Sequence, residues 1–444
     1  MLAFVFIFVL ECLLCKVTLN PATDLNETLP SLILLTINSG IVLCFLGKAF
    51  PGDKERQLNQ MLMLSFALRI CCMLWDVFGK DIFILPNAEG DAIGYEKIAY
   101  SFAFGARKNT VALADYSYWA GQIYKSIGRQ PITVQFINVF LAMYSIVLLH
   151  KSAVLLNISF QCRKTMVMLL CFLPNFIIIT SVFLQESLIA FFICESIYWF
   201  TLWWKKNRSS MLILSLLFSL AAGCFHVGGL ACCLGYLLMC LFFGGSQRKL
   251  TFCLGSLGGY IALLFIVMVI ISSHRELFLA KIGGAVSVEN VLSQAGATDR
   301  ASDAEYSVGI SGLHPVADII VNSPIRMFCF LAAPMPWMWR SPKDILAFFG
   351  STLFYLITIL EVLKTLRKSV SKQQENDEMR NYLITSLAVL LIAMLMFGWG
   401  VSNAGTALRH REKYTCLFVL VYAIAKQQQL DAAQEETDAK CRLN

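Results

Sequence analysis

Apolar runs of roughly 15 to 22 residues recur along this chain, about the length of helix that crosses the hydrocarbon core of a bilayer. Nothing else in the sequence restricts its fold as much. Inside a bilayer the backbone N–H and C=O groups find no water, so each run must form a helix that satisfies its own hydrogen bonds. The runs fall at 2–15, 31–47, 60–79, 132–150, 166–183, 188–204, 210–226, 228–244, 251–272, 344–363, 382–400 and 414–426. Residues 1–15, "MLAFVFIFVLECLLC", show neither a basic leader nor a small-residue cleavage site, and read as a short first span rather than a signal peptide. The pattern predicts an all-α polytopic integral membrane protein with about twelve transmembrane helices. Its membrane domain covers 1–426, and a solvated tail covers 427–444. A composition of 57% hydrophobic against 15% charged residues excludes a string of soluble domains over this length.

Charge orients the chain. The net charge of +7 is spread over short loops and forms no single basic face, which argues against a nucleic-acid partner. Short cytoplasmic loops collect Lys and Arg. The basic loops here are 48–56, 151–164, "KKNR" at 205–208, "QRK" at 247–249 and "KTLRKSVSK" at 364–372. Twelve spans with both termini cytoplasmic put all five on the inner side. That agreement requires the apolar run 325–339, "IRMFCFLAAPMPWMW", broken by Pro334 and Pro336, to be re-entrant and not to cross. The large loops 80–131 and 273–324 then face outward, together with the turn around Gln185 and the stretch 403–414. The aromatic cluster Tyr198, Trp199, Phe200, Trp203 and Trp204 beside "KKNR" reads as an interfacial belt. The 16 cysteines sit mostly within apolar runs, as small hydrophobes, and no metal-ligand spacing emerges.

Three polar groups interrupt the apolar pattern on the outer side. In "EGDAIGYEKIAYSFA", 89–103, Gly90 and Gly94 flank Asp91, and Tyr95, Ile98, Ala99 and Phe102 recur at helical spacing. That predicts an amphipathic helix on the membrane surface, with Asp91 near its N-terminus either as a cap or as a reactive carboxylate. In "FLPNFIIITSVFLQESLIAFF", 172–192, Gln185 and Glu186 lie against hydrocarbon-length runs, where an ionisable group faces a polar cavity or interfacial water. In "NAGTALRHREKY", 403–414, Arg409, His410 and Arg411 stand on the outer side, where short loops are otherwise poor in basic residues. An anionic ligand explains that exception, since guanidinium matches phosphate oxygens and histidine adds a donor or a proton; general binding of lipid head groups is the alternative. His226 in "CFHVGG" is either part of the same lining or a satisfied histidine at a helix junction. Arg69 lies mid-span, and Asp76 is too far along the helix to serve as its partner.

Carboxylates and a cationic cluster on one side of a membrane suit group transfer from a lipid phosphate: a base activates an acceptor hydroxyl while cations stabilise the departing phosphate. "GDAIGYEKIA", "PNFIIITSVFLQESLIAFF" and "GTALRHREKY" resemble the motifs of bacterial polytopic polysaccharide-biosynthesis proteins, in particular membrane glycosyltransferases of the GT-C superfold. The resemblance implies a polyprenyl-phosphate-linked sugar donor, a glycan acceptor, location in a bacterial inner membrane, and Asp91 as catalytic base. It also implies that Arg409 and Arg411 lie near the lipid phosphate. Asp91 is followed by Ala92 where the family carries a second acid, so Glu89 and Glu96 are candidates to share its role. The candidate site is therefore Asp91 and Glu186 as catalytic groups, with Tyr95, Gln185, His226, Arg409, His410 and Arg411 binding substrate. No cofactor is required, and a divalent cation is compatible. A repeat-unit polymerase for O-antigen or capsule is the nearest alternative. It calls for a second basic outer site, for which the loop 80–131 offers Arg107, Lys108, Lys125 and Arg129. A transporter or flippase of a lipid-linked or anionic solute is the alternative from another class.

Overall fold

A computed structural model of the protein describes residues 28–243, 248, 315–371, 378–401 and 403–443. The expected spans 2–15 and 251–272, and most of the loop 273–324, lie outside the described residues. Among the described residues the regular structure is helical throughout: α1 (Thr28–Leu46), α2 (Arg56–Phe78), α3 (Asp91–Phe104), α4 (Tyr116–Ile127), α5 (Pro131–Leu155), α6 (Phe160–Phe172), α7 (Pro174–Ile179), α8 (Glu186–Lys206), α9 (Ser209–Phe225), α10 (Ala231–Phe243), α11 (Pro315–Ala332), α12 (Pro342–Ala347), α13 (Leu353–Ser371), α14 (Glu378–Gly400), α15 (Ala404–Glu412) and α16 (Thr415–Leu443). Five helices among the described residues are long and apolar enough to cross a membrane: Asp53–Phe78, Pro131–Leu155, Glu186–Lys206, Pro342–Arg367 and Glu378–Gly400. Their surroundings differ. The apolar stretch of α5 is 89% buried and that of α2 only 33%, leaving Leu64, Leu68, Trp75 and Phe78 exposed. An outward apolar face of this kind is what lipid contact requires.

Several boundaries depart from the sequence expectation for local reasons. The run 166–183 is not one helix. It breaks between α6 and α7, because Pro174 supplies no N–H and holds Leu173 in an extended conformation. The segment 325–339 is the end of a longer helix: α11 starts at Pro315, continues through Pro324, and stops at Ala332 ahead of Pro334. A 3-10 turn, Pro336–Met338, follows. The tail from 427 continues α16 without a break to Leu443.

The chain divides into two compact units, one made of residues up to Val147 with Phe176–Leu188, the other of Leu148–Asn175 with Ile189 onward. In the first unit α3 and α4 pack together. A Cβ at Gly121 would come 2.7 Å from the Cβ of Phe102 and 2.8 Å from the Ala99 carbonyl, so glycine is what allows this approach. A neighbouring face of α3 exposes Ile93, Tyr100 and Phe104, as a surface-lying amphipathic helix should.

In the second unit α14 packs on α10, α11 and α16, and α16 on α6 and α13. The expected interfacial belt is largely internal: Phe200, Trp203 and Trp204 are buried around Tyr236 and Tyr382. Arg248, from the basic loop 247–249, explains why. Its guanidinium stacks 3.8 Å from the Trp203 ring centroid and donates to the carbonyls of Trp203 (2.7 Å), Trp204 (3.1 Å) and Phe243 (3.2 Å). A cation thus closes the C-terminal ends of α8 and α10, where carbonyls lack intrahelical partners.

Candidate functional site

The first unit joins two of the three polar motifs. Gly90, at a positive φ of 56°, turns the chain into α3, and Asp91 is the exposed first residue of that helix, one position inside the cap. Ala88 and Ala92, on either side of it, share a core with Ile179, Val182 and Leu184, against which Ile84, Leu85 and Tyr95 also pack. The corner that carries Gln185 and Glu186 is therefore built against the segment that carries Asp91. Glu186 opens α8 and is only 1% exposed; Gln185 beside it is 3% exposed.

Side chains from distant positions hold that corner. Asn138, on α5, directs its amide nitrogen to the carbonyls of Val182 (3.0 Å) and Leu184 (2.9 Å) and to the Tyr116 hydroxyl (2.9 Å). The Leu184 amide donates to Val182 two residues back, closing a tight turn. Phe183 packs edge-on to Tyr116, whose other neighbour is Tyr95, with centroids 5.7 Å apart in each pair. The mid-span Arg69 supplies a second tie. It donates to Thr180 Oγ1 at 3.1 Å and to the Ser65 hydroxyl, with its guanidinium 5.4 Å from the Phe176 ring. Asp76 instead accepts from Gln135 and pairs with Lys80. Burial pushes the Tyr116 hydroxyl well above the usual phenol range and the negative charge of Glu186 adds to this, while the Asn138 bond opposes it. Tyr116 is thus a proton-bearing hydroxyl at working pH.

Several other groups of the loop 80–131 are engaged within it. Glu96 forms a two-point pair with Arg129, at 2.7 and 3.0 Å, and accepts from Tyr124 at 3.4 Å. Arg107 lies over the Phe102 ring, and Lys125 donates to the Lys108 carbonyl at 2.5 Å.

The second unit contains the third motif. Asn403 caps α15 by accepting from the Thr406 amide. Arg411 is 1% exposed and turns inward: it donates to the carbonyls of Leu331 and Ala333 and to Thr352 Oγ1, beside the Tyr355 ring. It closes the end of α11, whose last carbonyls cannot continue a helix through Pro334. Glu412, also buried, accepts from Ser351 (2.9 Å) and Thr415 (2.6 Å); burial pushes its carboxyl above the ordinary range. His410 accepts from the buried Lys413 ammonium through Nδ1 at 2.6 Å, and its ring lies 4.6 Å from that of His226 and 5.0 Å from Phe397. Burial, then Lys413, His226 and Arg409, hold His410 well below the usual imidazole range, so it is neutral. His226 is a half-buried cap that accepts from the Gly228 amide. Arg409 is half-buried.

Of the residues singled out from sequence, Tyr95 packs on the core shared by the segment that carries Asp91 and the corner that carries Gln185 and Glu186, and the rings of His226 and His410 lie together in the second unit. Arg411 takes a place in the internal framework. Sequence reading passed over Tyr116 and Asn138. A lone amide in the apolar run "FINVFLAMY" was a usable signal for Asn138; Tyr116, in a polar loop, gave none. Among the described residues no group of three or more His, Cys, Asp or Glu side chains is placed to hold a metal ion. Compared with family models, curated proteins and solved structures, the chain matches none.

Proposed function

We propose that this chain is a membrane glycosyltransferase of cell-surface polysaccharide synthesis, of GT-C-like architecture with about twelve spans. It takes a sugar from a polyprenyl-phosphate donor at the outer face of a bacterial plasma membrane, with both termini cytoplasmic. The supporting observation is the shared core of residues 88, 92, 179, 182 and 184, which unites the helix opened by Asp91 with the corner that buries Glu186. Two acidic motifs about ninety positions apart in sequence gain by this a common, rigid mount, as acid-base work on an acceptor hydroxyl requires. In this reading Asp91 is the base, and Glu186 with Gln185 and Tyr95 binds the sugar. Single-sugar transfer is favoured over repeat-unit polymerisation because three of the four basic candidates for a second site, Arg107, Lys125 and Arg129, are engaged within their own loop, leaving Lys108.

Asp91 is exposed, so Asp91→Asn preserves shape and leaves folding intact. In a host deleted for its own copy, the variant is expected to insert at normal levels and to accumulate the same truncated lipid-linked glycan as the deletion strain. Wild-type glycan from Asp91→Asn rejects the assignment, and complete lipid-linked repeat units in the deletion strain identify a polymerase instead.

A further inference from the structure

The corner 180–187 is tied far more firmly than a connection between two helices needs. Its own short bonds, from Leu184 to Val182 and from Ser187 Oγ to the Thr180 carbonyl, form one set. Arg69 from α2 and Asn138 from α5 form a second, and the insertion of Phe183 beside Tyr116 and Tyr124 a third. A turn exposed to water would satisfy its carbonyls there; here Val182, Leu184 and Asn138 are all buried, and the amide of Asn138 replaces the solvent. The Asn138 amide nitrogen, with two hydrogens, serves three acceptors, one of them the Tyr116 hydroxyl. Tyr116 accepts there, so its own proton is left to point elsewhere. Gln185 completes the picture: its side-chain Oε1 is buried and accepts no hydrogen bond among the described residues. A buried amide oxygen in that state is destabilising unless a donor reaches it.

We propose that Asn138, acting through the 182–184 turn and the Tyr116 hydroxyl, is the positioning residue that holds Gln185 and Glu186 ready for a hydroxyl-bearing ligand, with Gln185 Oε1 the acceptor for one of its hydroxyls. This rests on the transferase reading for the identity of the ligand as a sugar, and on the geometry alone for the role of Asn138. The turn is fixed before ligand arrives, since the Val182 and Leu184 carbonyls are already satisfied by the Asn138 amide.

The test uses full-length protein in detergent micelles, with dicyclohexylcarbodiimide as probe and mass spectrometry to follow modification of Glu186 at one fixed pH. Asn138→Ala is expected to change the labelling rate by about fivefold or more, the equivalent of one hydrogen bond lost from the corner. Tyr116→Phe, which keeps the ring packing, is expected to give a smaller change in the same direction. Ser145→Ala removes a buried hydroxyl bonded to Leu141 farther along α5 and serves as the control, with labelling unchanged. Equal labelling in Asn138→Ala and wild type overturns the proposal, as does an equal change in Ser145→Ala, which would mean general loosening. For the ligand, Gln185→Leu is expected to keep the wild-type labelling rate and to lower lipid-linked glycan product several-fold in cells; full product removes Gln185 from the ligand site. If Asp91→Asn proves active, the transferase reading fails while the labelling result for Asn138 stands.

Discussion

The corner 180–187 and the helix α15 both bury a carboxylate at a helix end, and the bonds around them go to different places. In α15 the protein answers its own charges. Arg411 is matched by the carbonyls of Leu331 and Ala333, Glu412 by two hydroxyls, and His410 by the Lys413 ammonium. At the corner Asn138 bonds the backbone beside Glu186, Arg69 bonds the Thr180 hydroxyl, and Gln185 keeps a buried acceptor in reserve. Dense charge in a sequence therefore marks a place where burial has to be compensated. A ligand is indicated where the framework is compensated and a side chain beside it is not.

Arg411→Ala breaks that contrast most severely. It strips the end of α11 of a cation and of its donors, and loss of charge-assisted hydrogen bonds in a buried setting costs about 3 kcal/mol or more. A large drop in melting temperature in detergent is expected, only partly recovered by Arg411→Lys, which lacks the planar fork. A stable, inactive Arg411→Ala would return this residue to ligand binding and erase the difference between the two regions.

The pH dependence of stability sharpens the comparison. The folded His410 is held well below its ordinary value of 6.5, so the unfolded chain binds the extra proton. Its contribution is present above pH 6.5 and is lost as pH falls, by up to about 1.4 kcal/mol per pH unit. Glu412, raised by burial, works in the opposite sense at pH above its ordinary 4.5. The informative quantity is therefore the difference between wild type and His410→Gln: denaturation curves from pH 7.5 to 5 should show a shallower acid loss in the variant. Parallel curves would show that α15 does not depend on a neutral His410.

The smallest effect belongs to Glu96→Gln. Its pair with Arg129 has two good bonds, but Arg129 is 40% exposed, so water and salt screen it. A loss of no more than about 1 kcal/mol, shrinking further at high salt, is expected in the same melting assay. Loss of glycan product with stability intact would instead place Glu96 beside Asp91 in the chemistry.

Much of the helical outline is legible from residue order alone. Runs at 60–79, 132–150, 188–204 and 382–400 become α2, α5, α8 and α14, because a hydrophobic run of this length has few other ways to satisfy its backbone. The helix opened by Asp91 is equally readable, from two glycines and a helical repeat of apolar residues. The break at Pro174 was visible as a proline, yet its effect on the span 166–183 depended on where the chain packs next. Arg411 and Arg409 look alike in "LRHRE", and only the neighbourhood of α11 separates them.

The sequence by itself determined that the chain is helical and strongly apolar, that polar groups interrupt the apolar runs at Asp91, Glu186 and 409–413, and that each interruption needs a physical explanation. Hydropathy and backbone hydrogen bonding act over a few turns of one helix, and residue order records them directly. Which charge meets a carbonyl, which carboxylate shares a core with which loop, and that Asn138 reaches 44 to 46 positions along the chain to hold a turn were decided by the tertiary structure. Those bonds depend on distances between segments, and a distance across the fold has no local signature in the sequence.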